Sequence, residues 1–320
     1  MLRRKLGGGE ELSYQANDWL MKTMAKECAR SSVTAVHSYE DCSLWQFEKA
    51  KKLGKACLYD MPIGYYGWWQ RKEAELARKY RDWLPPEGIG STKWARPEQK
   101  KREMELADIV LAPSRFVAGT IREHFDKKII VAPYGTGAAT CPTIRKPRGD
   151  RPFRFLFVGT ASVRKGVPLL LEVWRKLGLR DAELVMAGSW QLGRPAEKYL
   201  PPNAKYLGML PRGALDMLYE DSDCLVHPSN FEGFSLSILE ALGRGLPILA
   251  STSTGAADLP KSEAVRLFQP ESPEEMTEAL IAARAASGKE LDGEATRIAT
   301  GCSWKIYRQK VSEAVGPLLY

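Results

Sequence analysis

A chain of 320 residues exceeds the about 250 to 300 at which a single core gives way to two, so two domains are expected. Apolar residues at 44% and charged residues at 27% exclude a disordered chain, and no apolar run approaches the about 20 residues that span a bilayer. The net charge of +8 lies wholly in residues 1–150, with 27 Lys/Arg against 19 Asp/Glu, whereas residues 151–320 balance at 20 against 20. A basic half suits an anionic partner, whether a phosphorylated substrate, an acidic membrane surface or nucleic acid; a solvated basic surface fits equally.

The opening LRRKLGGGEE lacks the apolar core of a signal peptide, so a cytoplasmic location is expected. GGG at 7–9 follows no apolar strand. Short runs rich in Val, Ile, Leu and Phe then alternate with segments of helical period, the pattern of strand and helix units over a parallel sheet. In the first half the strands are expected at 32–37, 56–60, 108–113 and 128–133, and in the second at 153–159, 182–188, 223–228 and 246–251. Their near-continuous apolar character fits strands covered on both faces.

Between strands, the aromatic cluster YYGWW (65–69) fits an acceptor pocket, a membrane grip or simple packing. RKEAELARKYR (71–81) and EQKKRE (98–103) read as solvated helix faces. LAPSRFVAGTIREHF (111–125) and RKGVPLLLEVWRKLG (164–178) place small or polar residues where a strand hands over to a helix, the edge of an open sheet at which ligands bind. Residues 135–152, dense in Gly, Pro, Thr and charge, form the best linker. The expected organisation is a first domain over 1–147, a second over 148–302, and a terminal helix over 303–320 capped by Ser303, with Trp304, Ile306, Tyr307, Val311 and Val315 along one side. Six scattered cysteines without a C-x-x-C pair, and three histidines, offer no basis for a zinc site or disulfide framework.

The chemistry concentrates in FEGFSLSILEALGRGLPILAS (231–251). Glu232 precedes a helix that Ser235 begins and Gly243 and Pro247 end, and Glu240 lies inside it. Eight positions at helical rise separate the carboxylates by roughly 12 Å, beyond the about 5 to 9.5 Å of a paired glycosidase acid and base. Such spacing suits a long polyhydroxylated ligand with an anion between its ends, held by the N–H groups of Gly233, Phe234, Ser235 and Leu236. Hydroxyls, phosphates and hydroxyls in that order describe a nucleotide sugar. The bland alternatives are a capping box in SNFE (229–232), which Gly233 weakens, and an exposed helix glutamate at 240. FVGTASVRKG (157–166) ends a strand at Gly159 and Thr160 and presents Arg164 and Lys165 at a helix mouth, where they suit a departing diphosphate or a solvated helix start.

FVGTASVRKG, YLGMLPR (206–212), HPSNFEGFSLSILEALGRGLPILAS (227–251) and the terminal SWKIY resemble glycosyltransferase family 4, retaining enzymes of the GT-B fold, over roughly residues 105 to 315. The resemblance implies an α/β fold of two Rossmann-like domains facing a cleft. It implies that Glu232 contacts the transferred sugar, Glu240 the nucleotide ribose and Lys165 the diphosphate, with Gly208, Met209 and Leu210 edging the base. Thr160 stands where the family carries arginine, and Arg164 is its candidate substitute. Tyr39 aligns with the family's first-domain histidine, and His37 lies two residues away on the same strand face; His227, before Pro228, reads as structural. The family's first domain opens with further strands before this region, so an incomplete first sheet with an exposed edge is expected.

The function expected is transfer of a sugar from a nucleoside-diphosphate sugar of the UDP or GDP type to a glycan, lipid-linked or small-molecule hydroxyl. Glu232, Lys165, Arg164, His37 and Tyr39 are its candidate catalytic residues. No cofactor and no metal are expected, because no aspartate-rich motif is present. The alternative is a non-catalytic relative that binds nucleotide sugar or glycan, or serves as a subunit. Peripheral contact with an anionic membrane on the inner face fits the basic half, and nucleic acid is the weakest partner because no recognised binding motif supports it.

Overall fold

The computed structural model describes residues 9–89, 96–136, 149–286 and 289–316, and the greater part of the expected linker lies outside them. In chain order the first half runs α1 (Gly9–Glu27), β1 (Ala35–Tyr39), α2 (Leu44–Lys52), β2 (Ala56–Asp60), α3 (Tyr66–Lys79), α4 (Pro97–Leu106), β3 (Ile109–Ala112), α5 (Arg115–Arg122) and β4 (Lys128–Val131). Its strands form a parallel sheet in the order β1-β2-β3-β4.

The second half continues with β5 (Phe153–Val158), α6 (Val167–Leu177), β6 (Ala182–Ala187), β7 (Ala204–Tyr206), α7 (Arg212–Glu220), β8 (Cys224–His227), α8 (Leu236–Gly243), β9 (Ile248–Ser251), β10 (Val265–Phe268), α9 (Pro273–Ala285), α10 (Lys289–Thr300) and α11 (Trp304–Val315). Its sheet is parallel in the order β10-β9-β8-β5-β6-β7. Strand order reverses between β5 and β8. That switch point opens a crevice at their carboxyl ends, where ligands of doubly wound sheets bind.

All eight expected strands are present. β7 and β10 were not anticipated: they are the two edges of the second sheet, and Lys205 and Arg266 interrupt the continuous apolar run that marks a central strand. The helix after β3 starts at Arg115, where Ser114 Oγ accepts from the Val117 N–H. The helix after β5 waits until Val167 because Gly166 is left-handed at φ 70°, pressed so close to the end of β8 that a Cβ would stand 2.0 Å from the Pro228 carbonyl oxygen.

Packing departs from chain order at α3. Trp69, Leu76, Tyr80 and Trp83 are buried in the core of the second sheet with Phe155 and Trp174, not in that of the first. Trp83 stacks on Tyr199 at 4.2 Å and donates its indole N–H to Glu172 at 3.1 Å, and Tyr80 Oη donates to Glu271 at 2.8 Å. Each buried aromatic contributes about 2–3 kcal/mol of transfer free energy, so this segment is a built part of the second domain's surface layer.

The two charged stretches each present a solvated face, with Arg71, Glu75, Arg78 and Lys79 exposed in one and Glu98, Lys101 and Arg102 in the other, but each also buries a second face. In the first, Leu76 and Tyr80 are core. In the second, Glu103 is fully buried and accepts the N–H groups of Asp41, Ser43 and Leu44 and the hydroxyl of Tyr59, while Lys100 pairs with Glu40 at 3.0 Å and Asp41 at 2.9 Å. Glu103 thus caps α2 from another helix, a partnership that local sequence does not reveal. The aromatic cluster is likewise packed: Trp68 and Trp69 stack on Phe231 at 5.7 and 4.8 Å.

α11 returns to the first sheet, its N-terminus capped by Ser303 Oγ, which accepts from Ile306 N–H. Val311, Ala314 and Val315 cover Leu58, Ile109 and Leu111, and Tyr307 Oη donates to Asp60 at 3.1 Å. Trp304 and Ile306 fall off that stripe and are partly exposed at 39% and 38%.

Candidate functional site

The loops that follow β5 and β8 meet at the switch point. Asn230 N–H donates to the Arg164 carbonyl at 2.8 Å, and Arg164 Nη1 donates to the Phe231 carbonyl, also at 2.8 Å. Arg164 is thereby turned toward the β8 loop, and its Nη1 stands 3.7 Å from Glu232 Oε2. Lys165 Nζ forms a direct ion pair with the same carboxylate oxygen, and His227 Nε2 lies 3.9 Å from it. Three nitrogenous groups from two loops converge on one carboxylate.

Burial by itself would raise the pKa of Glu232. His227, Lys165 and Arg164 outweigh that and hold it well below the usual carboxylate range. At 3.9 Å the His227 contact is too long for a hydrogen bond, so the two cations carry the lowering. Burial lowers the pKa of Lys165, which Glu232 opposes and Arg164 reinforces. Burial lowers that of His227 too, so its imidazole is neutral at pH 7. The site holds one ionised carboxylate and two cations, a net excess of one positive charge.

Glu240 sits apart on α8. Its carboxylate accepts from Arg212 Nη1 at 2.6 Å and from Tyr219 Oη at 3.2 Å, both on α7. The two glutamates share no partner. Their separate anchoring fits two contact points on one long ligand better than a cooperating acid and base.

Between them, Ser235 is the N-cap of α8, but its Oγ makes no cap bond and pairs with Ser237 Oγ at 2.9 Å. The expected side-chain cap is thus corrected: the hydroxyl turns to a neighbouring hydroxyl, and the first-turn N–H groups receive no acceptor from it. Gly233 admits the first domain, since a Cβ there would stand 1.8 Å from the Pro62 carbonyl oxygen, and its own carbonyl accepts from Ser114 Oγ at 2.9 Å. Phe234 packs its ring into the core, whereas Leu236 is exposed. Ser114 and Pro62 belong to the first half, so both domains hold this loop.

Gly159 continues the backbone pairing of β5 with β6, and Thr160 Oγ1 lies 2.9 Å from Ser189 Oγ, tying the loop beyond β5 to that beyond β6. The Gly208 carbonyl accepts from Gly188 N–H at 2.8 Å, and Met209 beside it is 81% exposed. Met209 and Leu210 immediately precede Pro211 and Arg212, so this loop leads into the helix that holds Glu240. His37 and Tyr39 are not brought to the cluster: His37 Nε2 is 3.8 Å from Asp60 Oδ2 and Tyr39 is exposed, and no described contact joins either to Glu232.

His227, read as structural, is buried and lies 3.9 Å from Glu232 Oε2, and sequence reasoning did not single out Arg212 and Tyr219, which anchor Glu240. His227 carried one signal, a polar residue closing an apolar strand at the sheet edge where ligands bind. Arg212 and Tyr219 carried none. Among the described residues, no group of three His, Cys, Asp or Glu side chains could hold a metal, and no helix is long and apolar enough to cross a membrane.

Known proteins resemble this chain over parts of its length. Residues 143–291 match the family described as glycosyl transferases group 1. An uncharacterized glycosyltransferase of Methanocaldococcus jannaschii is 32% identical over 34% of this chain and 29% of its own length. O-antigen chain mannosyltransferase B of Escherichia coli is 30% identical over 32% of this chain and 30% of its own length. A GDP-mannose-dependent alpha-mannosyltransferase of Corynebacterium glutamicum is 35% identical over 32% and 24%. The matched region therefore spans less than a third of each of these relatives. Among solved structures, a lipopolysaccharide outer core galactosyltransferase superposes with a TM-score of 0.68 at 18% identity, covering 96% of this chain and 82% of that one. Sucrose-phosphate synthase of Thermosynechococcus elongatus gives 0.67 at 16%, covering 96% and 79%. The fold is the two-sheet GT-B arrangement.

Proposed function

We propose, for a chain whose residues 143–291 belong to the glycosyl transferases group 1 family, that it moves a sugar from a nucleoside-diphosphate sugar of the UDP or GDP type to an acceptor hydroxyl with retention of configuration. The observation that carries this reading is the convergence of Lys165, Arg164 and Glu232 at the switch point, beside the uncapped start of α8.

In this reading the diphosphate lies against Lys165, Arg164 and the first-turn N–H groups of α8. Glu232 accepts hydrogen bonds from the sugar, Glu240 from the ribose, and Met209 borders the base. As the bond from the sugar's anomeric carbon to the phosphate oxygen breaks, negative charge grows on the diphosphate. Lys165 and Arg164 are in place to stabilise it, so charge neutralisation is assigned to side chains rather than to a metal. The acceptor oxygen bonds the anomeric carbon from the same face, and its proton passes to the departing phosphate oxygen. No protein nucleophile is needed. The Corynebacterium relative is named as GDP-mannose-dependent, which supports a sugar nucleotide as the ligand class.

The acceptor, a glycan or lipid-linked hydroxyl, is assigned to the first domain. Exposed Trp19, Leu20 and Met24 on α1, with Lys22 and Lys26 on the same helix, support peripheral contact with an anionic membrane in a cytoplasmic protein. Calorimetric titration with UDP-, GDP- and ADP-sugars tests the donor, and release of nucleoside diphosphate in the presence of glycan or lipid-linked acceptors tests turnover. Binding by none of the donors refutes the reading. Binding without release identifies a non-catalytic relative instead.

A further inference from the structure

A chain of polar groups crosses the buried floor of the site. His227, 1% exposed, ends β8, and its Nε2 has no hydrogen-bond partner although it faces Glu232 Oε2 at 3.9 Å. Its Nδ1 is 3.4 Å from Ser237 Oγ, which is in turn 2.9 Å from Ser235 Oγ. Buried polar atoms rarely stay unpartnered, so an orphaned ring nitrogen beside a carboxylate calls for an explanation.

Proton inventory gives the chain a direction. An ionised carboxylate only accepts. For the imidazole to serve Glu232, Nε2 must carry the proton, Nδ1 must accept from the Ser237 hydroxyl, and Ser237 must accept from Ser235. The same Ser235 hydroxyl, turned toward Ser237, makes no cap bond to α8. The imidazole stays neutral in this arrangement, because burial and the nearby Lys165 and Arg164 oppose a charge on it.

We propose that His227 is a positioning residue that takes hold of Glu232 when a bound diphosphate draws Lys165 and Arg164 away from it. The inference rests on the donor-site reading above. In the free protein Lys165 occupies Glu232 Oε2, and His227 is held just out of range. When the cations turn to the phosphates, Glu232 is left as a buried carboxylate whose remaining facing donor is His227. A movement of about 1 Å closes that gap to hydrogen-bond length. Glu232 then keeps the orientation that the sugar hydroxyls need.

Two substitutions separate this role from mere packing. His227→Gln carries an amide nitrogen at the level of Nε2, whereas His227→Asn carries it only at the level of Nδ1, short of Glu232. Affinities for UDP-glucose and GDP-mannose, and for bare UDP and GDP, are measured by calorimetry on whichever pair the wild type binds. His227→Asn is expected to weaken the nucleotide sugar by about 10-fold or more and the bare nucleotide by less than about 3-fold, and His227→Gln to recover most of the difference. Equal losses for sugar nucleotide and nucleotide, or equal losses in the Asn and Gln variants, overturn the proposal. Should the Asn variant not fold, Ser237→Ala decides: a loss of about 3-fold confined to the sugar nucleotide is expected, and no selective loss overturns the proposal. Failure of the wild type to bind any of these ligands refutes the donor site itself, before any variant is compared.

Discussion

Replacing Lys165 by methionine separates what its ammonium does for the fold from what it does for a ligand. In the free protein the side chain is 13% exposed and pairs with Glu232, 15% exposed, so water screens the pair little. Removing one partner of such a pair costs about 3–5 kcal/mol when nothing replaces it. Arg164 Nη1 stands 3.7 Å away and retains part of the attraction, so the lower end, about 3 kcal/mol, is expected from denaturant unfolding. In the bound state the loss is a charge-assisted hydrogen bond to phosphate, about 1.5–3 kcal/mol, or about 10- to 100-fold in nucleoside-diphosphate affinity. The double variant Lys165→Met, Glu232→Gln removes the stranded carboxylate as well. It should regain most of the stability and none of the affinity. A single variant that binds donor within about 3-fold of wild type, or a double variant that binds like wild type, refutes the assignment of Lys165 to the diphosphate.

Gly166→Ala places a Cβ at φ 70° against the Pro228 carbonyl oxygen, so a loss of more than about 2 kcal/mol in unfolding is expected, with donor affinity falling alongside because the β5 and β8 loops part. Trp83→Ala removes a ring stacked on Tyr199 and should cost about 3–5 kcal/mol in denaturant melts, a value an exposed first-domain residue would not show. In the pH dependence, burial holds the folded pKa of His227 below the ordinary imidazole value of 6.5. The unfolded chain therefore takes up a proton that the folded one refuses, and His227's contribution to stability is lost as pH falls below 6.5, by up to about 1.4 kcal/mol per unit. Glu40, pushed up to about 7 by burial, acts with opposite sign between about 7 and the ordinary carboxyl value of 4.5. Only the difference curve between His227→Gln and wild type reads the histidine, and a flat difference from pH 7 to 5 contradicts its neutral burial.

What was legible in the sequence was the part governed by local rules. Central parallel strands are apolar on both faces, and all eight were found from that alone. The spacing of Glu232 and Glu240 about a helix start argued against an acid and base pair, whereas the close approaches at Gly166 and Gly233 emerge only in the fold. What escaped was long-range. Edge strands β7 and β10 alternate too briefly to register. Glu103 looked like one charge in a solvated helix, yet it caps α2 from sixty residues away. His227 looked structural because the group it faces, Glu232, comes from the next loop, and only the fold shows that Lys165 competes for the same oxygen.

The placement of α3 bears on how the site is held. Glu271, left-handed at φ 65°, accepts from Tyr80 Oη on one carboxylate oxygen and from Asn230 Nδ2 on the other, at 2.8 and 2.9 Å. Asn230 stands two residues before Glu232. Phe231, between them, is stacked by Trp68 and Trp69, and Gly233 just beyond lies against Pro62 and Ser114. Every residue from 230 to 233 is therefore fixed by a partner outside its own loop, and several of those partners belong to the first half of the chain. A motion that separated the two sheets would have to release Gly233 from Ser114 while α3 stayed with the second core. The loop would then be held by Asn230, by the stacking of Phe231 on Trp68 and Trp69, and by Arg164 and Lys165, without the first-half contact at Gly233. On the proposed donor-site reading, the contact between the two sheets and the orientation of Glu232 are coupled through this loop, and Ser114→Ala, which cuts the buried hydrogen bond to Gly233, should weaken donor binding by about 3- to 10-fold without touching any residue assigned to the ligand. Unchanged affinity in that variant, with an intact fold by circular dichroism, would show that the carboxylate is oriented by the second domain alone.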